Sequence, residues 1–257
     1  MIKKLISKVL NLYKPPSVTP LQAIDKLRQK YPNLAKMKLG YAGRLDPMAE
    51  GVMLVLVGGE NKVKQKYLNL DKEYIFDVLF GFSTDSFDIL GKIIKINYNS
   101  PRKSKLSSVL KNFQGIISQK YPVYSTKSVK GKSLFDWARL GKLGEIEIPE
   151  QFVEIYSIKI VKNYMMPSAE LKKFINNRIN TLTGDFRQKE IIKGWEKVLK
   201  NNKLKFPVTR LKVNCSSGTY VRAIANELGN QLNVPALALK IVRTKVGDYK
   251  LKDSTKL

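Results

Sequence analysis

The sequence predicts an α+β protein built on a mixed, mainly antiparallel sheet. Three observations carry this. Strand-like and helix-like apolar patterns are interleaved without the regular strand–helix rhythm of a parallel sheet. Apolar residues make up 43% of the 257-residue chain, enough for a substantial core. No stretch approaches the roughly 18 apolar residues that cross a membrane as a helix.

The elements follow in order. Met1 to Leu10 loosely imitates a signal peptide. Lys8 interrupts its apolar run, however, and Leu12-Tyr13-Lys14-Pro15-Pro16 follows in place of a small-residue cleavage site. A short strand is therefore expected, running over Val9 to Tyr13 and stopped by the proline pair. Thr19 can cap a helix from Pro20 to about Lys30, with Leu21, Ile24 and Leu27 on one face. Lys36 to Glu50, rich in Gly and Pro, reads as a loop. Gly51 to Val57 is a short apolar run bounded by glycines, hence a buried strand. Glu73 to Phe82 alternates as a strand, and Ser83 to Gly91 carries turn chemistry. Ser104 to Phe113 has Leu106, Val109, Leu110 and Phe113 at helical spacing. Gln119 to Lys132 is a basic loop, Leu134 to Leu140 a short helix, and Phe152 to Lys162 a strand. Two helical patterns come next, the first on Leu171, Phe174, Ile175, Ile179 and Leu182 and the second on Ile191, Ile192, Trp195, Val198 and Leu199. A strand over Val208 to Cys215, a helix after Gly218 and a strand around Leu237 to Val246 complete the chain.

Charge narrows the function. Lys and Arg number 47 against 21 Asp and Glu, a formal net charge of +26. Such an excess attracts a polyanion. There is no histidine and only one cysteine, Cys215. Imidazole-dependent hydrolysis, Cys–His nucleophiles, cysteine-based metal sites and internal disulfides are excluded. Proton transfer and nucleophilic chemistry fall to Asp, Glu, Lys, Tyr, Ser or Thr.

Two segments can carry such chemistry. In Gly40-Tyr41-Ala42-Gly43-Arg44-Leu45-Asp46-Pro47-Met48-Ala49-Glu50-Gly51, an aspartate sits in a Gly-flanked loop feeding an apolar strand. By itself it reads as a turn residue before proline or as a catalytic carboxylate. In Asn214-Cys215-Ser216-Ser217-Gly218-Thr219-Tyr220-Val221-Arg222, a strand and turn lead into a helix. There Arg222 is either a solvated or paired surface residue, or it faces a buried carboxylate or a phosphate at a helix start.

Taken together, and with three further motifs, these segments resemble the TruB family of tRNA pseudouridine synthases. That family carries a loop of the form Gly-His-x-Gly-x-Leu-Asp-Pro, then a Lys-x-Tyr strand, matched by Lys72 and Tyr74. Its Gly-x-x-Thr-Asp-x-x-Asp-x-x-Gly turn is matched by Gly81, Thr84, Asp85, Asp88 and Gly91. Gln119 to Thr126, followed by Ala138, Arg139 and Gly141, match its basic loop, and Cys215 to Arg222 match its last motif. The resemblance covers the chain apart from about 163–206.

The resemblance implies a pseudouridine synthase fold and an isomerase needing no metal or organic cofactor. Asp46 corresponds to the catalytic aspartate, Tyr74 to the tyrosine that stacks on the flipped uracil, and Arg222 to the arginine paired with the aspartate. A neighbouring guanidinium favours the ionised carboxylate. Lys14, before Pro15, matches the lysine of the family's Lys-Pro motif and is read as supporting this loop. It is placed on the RNA-binding side with Tyr41, Arg44, Tyr124, Ser125, Lys127, Lys130, Lys132 and Arg139. The base must be extruded from a stacked RNA element, and aromatic and basic residues offset that cost.

Departures accompany the matches. Tyr41 replaces the family's usual histidine, which implies stacking beside the nucleotide and no titration. Arg44-Leu45-Asp46 looks like other pseudouridine synthase families and leaves a substrate other than uridine 55 of the T arm open. Tyr121 replaces a proline, and Ser128 a lysine. Gly131-Lys132-Ser133 imitates the end of a P-loop, but Thr126 occupies the required Gly position. Cys215, Trp137 and Trp195 are expected in the core.

The chain is therefore expected to be one catalytic domain over 1–257 with a basic helical insertion at about 163–206 and no C-terminal PUA domain. It is expected to be cytoplasmic and monomeric, to make no membrane contact, and to act on the T-arm stem-loop of tRNA. Alternatives are an RNA-binding or tRNA-folding protein with incidental catalysis, or a synthase for ribosomal RNA. The insertion reads either as a surface hairpin packed through Phe174, Ile175, Ile192 and Trp195, or as an additional tRNA-holding element.

Overall fold

A computed structural model describes residues 8–257; the part of the signal-peptide-like segment before Lys8 lies outside the described residues. Strand β1 (Val9–Lys14) ends at Pro15. Helix α1 (Pro20–Lys30) starts in a capping box, in which Thr19 Oγ1 accepts from the Gln22 amide and Gln22 Oε1 accepts from the Thr19 amide. The next stretch is not all loop: β2 (Leu39–Ala42) pairs antiparallel with β3 (Glu50–Val57). Helix α2 (Lys64–Leu68) leads into β4 (Lys72–Phe80). Strands β5 (Phe82–Thr84) and β6 (Ile93–Ile96) form a small hairpin, followed by α3 (Lys103–Lys111) and β7 (Gly115–Lys120). The basic loop contains the paired β8 (Ser128–Val129) and β9 (Lys132–Ser133) and ends in α4 (Leu134–Arg139), capped by Ser133. Strand β10 (Glu150–Pro167), helices α5 (Ser168–Asn180) and α6 (Gln188–Val198), β11 (Lys205–Cys215), α7 (Val221–Leu232), β12 (Ala236–Val246) and β13 (Tyr249–Lys250) follow.

The main sheet runs β1-β3-β12-β4-β11-β10-β7, with β2 added to β3 and β13 to β12. Every pairing in it is antiparallel except β12 with β3. That parallel crossing is short, Val242 and Arg243 against Glu50 and Gly51. It requires a glycine: Gly51 has φ +117°, and a Cβ there would lie 2.2 Å from the Arg243 carbonyl oxygen. β3 is buried along its whole length because both faces are covered. Met53 and Val55 join the main core with Phe76, Val78 and Leu211 and with Ile224 and Leu228 of α7. Val52, Leu54 and Leu56 face a second cluster with Tyr67 of α2 and Val246. Cys215 and Trp195 are wholly buried, and Trp137 nearly so.

Three further expectations are corrected. Leu21 is 63% exposed, and Ala23 takes the inward position beside Ile24 and Leu27. β10 is longer at both ends than Phe152 to Lys162, because β7 and β11 supply partners from Glu150 to Pro167. Bulges near Ile155 and Ile160 interrupt the alternation that would have marked its extent. The helical part of the insertion therefore begins at Ser168, the first residues of 163–206 being strand.

Candidate active site

The Asp46 loop joins β2 to β3 and is anchored by buried Leu45, Met48 and Ala49. The Ala49 amide donates to the Asp46 carbonyl (3.0 Å), and the Pro47 carbonyl accepts from the Ser17 amide (2.8 Å). Lys14 lies beneath this turn, fully buried. Its Nζ donates to the carbonyls of Pro15 (2.9 Å), Val18 (2.6 Å) and Pro47 (3.4 Å). Burial pushes its pKa down to about 7, against the opposing pull of Asp46. Lys14 thus supports the loop, as expected, and has no surface to offer an RNA.

Arg222 is the second residue of α7 and only 3% exposed. Nε donates to Asp46 Oδ2 (2.8 Å) and Nη2 to Asp46 Oδ1 (3.2 Å), a two-pronged grip on one carboxylate. Nη1 donates to the Ser86 carbonyl (2.7 Å) and Nη2 also to that of Tyr124 (3.3 Å). A second carboxylate, Asp88, lies 3.6 Å from Nε. Asp88 accepts from Ser86 Oγ (2.6 Å) and the Leu90 amide (2.9 Å). Burial pushes Asp88 up to about 6, with Arg222 pulling the other way. Burial lowers the Arg222 pKa, but Asp46 and Asp88 outweigh it and hold the guanidinium charged. Asp46 keeps 31% of its side chain exposed, so its carboxylate is gripped from behind and open in front.

In front of it is a cleft of about 550 Å³, lined by Asp46, Tyr74, Tyr220 and Arg222 among others. That volume suits one small ligand or one extruded nucleotide, being within the roughly 300–1,000 Å³ of ligand pockets. Tyr74, on β4, is 8% exposed. Burial raises its pKa, with Arg243 partly offsetting, so the phenol is neutral. The β4–β12 register places Tyr74 opposite Arg243. Arg243 is almost fully buried; its Nε donates to the Val52 carbonyl (2.7 Å) and Nη2 to that of Gly43 (2.9 Å). Lys72 also lines the cleft, and burial pushes its amine down to about 8.

The structure brings together Asp46, Tyr74, Arg222, Arg44, Tyr124, Ser125 and Arg139 around this cleft. Lys127, Lys130 and Lys132 are exposed along the basic loop beyond it. Lys127 lies 5.0 Å from the Tyr121 ring centroid, Lys132 lies 5.2 Å from that of Trp137, and Lys130 donates to the Glu145 carbonyl. Tyr41 does not line the cleft. Pairing of β2 fixes it opposite Val55, half-buried against the core, with Lys64 5.3 Å from its ring centroid.

Four residues escaped the sequence reading. Asp88 stood inside a quoted motif without a role. Arg243 sits in an apolar strand, where nothing in the local pattern marks it. Phe186 and Arg187, from the α5–α6 turn, line the cleft although their segment lies outside the resemblance.

Known proteins resemble this chain in sequence and in fold. The profile described as "TruB family pseudouridylate synthase (N terminal domain)" matches residues 29–181. A protein named tRNA pseudouridine synthase B from Caldanaerobacter subterraneus subsp. tengcongensis is 34% identical over 253 residues, 97% of this chain and 72% of the relative. Its namesake from Carboxydothermus hydrogenoformans is 32% identical over 250 residues, 96% of this chain and 72% of the relative. Among solved structures, a chain of a Cbf5-Nop10-Gar1 complex superposes with a TM-score of 0.61 at 20% identity. A chain of an H/ACA RNP bound to a substrate RNA containing 2′-deoxyuridine gives 0.59 at 18%. Both cover all of this chain, which spans 54% and 53% of theirs, and both share its fold.

Proposed function

The chain belongs to the TruB family of pseudouridylate synthases, and from that premise we propose that it converts uridine 55 in the T arm of tRNA to pseudouridine. It is an isomerase. The C1′–N1 bond of the nucleoside breaks, the uracil turns, C5 bonds to C1′, C5 loses a proton and N1 gains one. Nothing is oxidised or reduced.

The observation that carries the reading is the Asp46 carboxylate, gripped by Arg222 and open to a cleft that also holds Tyr74. A fixed negative charge stabilises the electron-poor sugar carbon as its bond to N1 weakens. Arg222 spends its donors on Asp46 and two backbone carbonyls, so it aims the carboxylate and leaves one face free. A neutral Tyr74 offers a ring for the extruded base and a donor hydroxyl; its raised pKa makes it a poor proton acceptor at neutral pH. Flipping costs a few kcal/mol, which stacking and phosphate contacts offset. Arg44 and Arg139 at the cleft, with Lys127, Lys130 and Lys132 beyond it, supply cations for the backbone. No helix among the described residues is long and apolar enough to cross a membrane. The proposal includes a monomer working in the cytoplasm on tRNA.

Pseudouridine mapping in total tRNA and ribosomal RNA, with and without the protein, tests this. Protein-dependent pseudouridine at position 55 of tRNA is expected. Modification confined to ribosomal RNA would favour the ribosomal reading. Tight RNA binding with no modification would favour an RNA-folding protein.

A further inference from the structure

The α5–α6 hairpin is fixed at its base and reaches the cleft with its tip. Leu171, Ile175, Ile179, Ile191 and Trp195 are buried, and Trp195 Nε1 donates to the Ile89 carbonyl (3.2 Å), next to Asp88. The tip is braced by Gln188, whose side chain accepts from the Phe186 amide (2.9 Å) and donates to the Gly184 carbonyl (2.7 Å). Gln22 of α1 donates to Thr183, and Ser17 Oγ donates to the Arg178 carbonyl (2.8 Å). A braced turn of this kind presents a side chain in one place.

That side chain is Arg187. Its backbone is left-handed (φ 59°), a conformation that a long side chain adopts only when its surroundings require it. Nη1 donates to Asp85 Oδ2 (2.8 Å) and Nη2 to Oδ1 (3.4 Å). The guanidinium carbon lies 4.6 Å from the centroid of the Tyr124 ring. The Tyr124 hydroxyl donates to Asp85 Oδ2 (3.1 Å), and the Tyr124 carbonyl accepts from Arg222. A continuous series of contacts thus runs Arg187–Asp85–Tyr124–Arg222–Asp46. A second tie, Asp185 to Arg139, joins the same tip to α4.

We propose that Arg187 is a positioning residue for the isomerisation: gripping Asp85 and covering Tyr124, it fixes the Tyr124 carbonyl that orients Arg222 and, through it, Asp46. The hairpin then belongs to the active site and is not a remote arm. A phosphate contact is the less favoured role, since Arg187 already faces a carboxylate on one side and a ring on the other and is 26% exposed.

The inference rests on the pseudouridine reading above, and its test separates the two. Single-turnover release of tritium from C5-labelled uridine in tRNA is measured with RNA affinity and Tm. Arg187→Gln should lower the rate at saturating RNA about 10–100-fold, the effect of a small misplacement of reacting groups, with Kd within a few fold. Arg187→Lys, which keeps the charge and loses the planar grip, should fall between. Tyr124→Phe, which removes one hydroxyl, should shift the rate the same way by less, so the proposal stays testable even if Arg187→Gln does not fold. A wild-type rate at saturation for Arg187→Gln overturns the positioning role. Combined with a lower Tm, that result indicates a strut; combined with weaker binding and a smaller salt slope, it indicates a phosphate contact. A wild-type protein that releases no tritium from any tRNA overturns the underlying reading instead.

Discussion

Replacing Arg222 by lysine keeps the charge and removes the geometry. The guanidinium makes four hydrogen bonds, two to Asp46 and one each to the carbonyls of Ser86 and Tyr124. These partners lie on different sides of a planar group, and one ammonium nitrogen cannot reach them all. Suppose it retains one Asp46 oxygen and one carbonyl. Two hydrogen bonds are then lost, and a bond to a charged group contributes about 1.5–3 kcal/mol. The total is about 3–6 kcal/mol, divided between stability and rate. The share falling on the rate follows from Asp46, which loses its second prong: a misplacement of about 1 Å costs about 100-fold. Arg222→Lys should therefore convert tRNA at least about 100-fold more slowly in a single-turnover assay at saturating RNA. Its Tm should fall by several degrees, at about 2–4 °C per kcal/mol for a chain of this size. Affinity should change little, because Arg222 is buried and offers no phosphate contact. Arg222→Lys converting tRNA at the wild-type rate would refute the argument that the grip aims Asp46.

Lys14 gives a prediction in pH. Its folded pKa is near 7 and its ordinary value 10.5, so between those values the unfolded chain holds a proton that the folded chain sheds. Stability from this group therefore rises with pH: the cost of burying the cation is full below about 7 and is relieved above it. Relative to Lys14→Met, wild type should gain about 2–3 kcal/mol between pH 7 and 9, read by denaturant unfolding at each pH. A constant gap would contradict the burial argument. For the polyanion contact, log affinity for tRNA should fall linearly and steeply with log salt concentration; a flat plot would remove the basic surface from binding. Replacing exposed Lys193, Lys197 and Lys200 on and just after α6 by Gln should weaken binding and lower that slope without changing which uridine is modified. Unchanged binding and slope would leave the hairpin to its role at the cleft.

Local signals made most elements legible. Thr19 before Pro20 places a cap and an N1 proline, and α1 begins at Pro20 as expected. The apolar run after Gly51 could only be a buried strand. The partnership of Asp46 with Arg222, 176 positions apart, was legible through resemblance alone, because no periodicity links residues so distant. What stayed hidden depends on register. Tyr41 looked like a loop residue, and only pairing with Val55 turns it into a strand residue away from the cleft. Lys14 reads from the sequence as supporting the Asp46 loop but also falls on the RNA-binding side, because the three carbonyls that bury it come from turns that exist only after folding. Arg187 reaches Asp85 across 102 positions because α5 and α6 bury their apolar stripes together. Its charge alone did not distinguish it from the many other cations.

The central claim is that Asp46 carries the chemistry while the basic surface carries the binding. Asp46→Asn tests it most directly, since the amide keeps the shape and an oxygen acceptor for Arg222 and loses the charge. Pseudouridine formation at tRNA position 55 is measured with tRNA affinity on the same preparation. The account predicts no detectable pseudouridine and a Kd within a few fold of wild type. Substantial turnover by the Asn variant would contradict it.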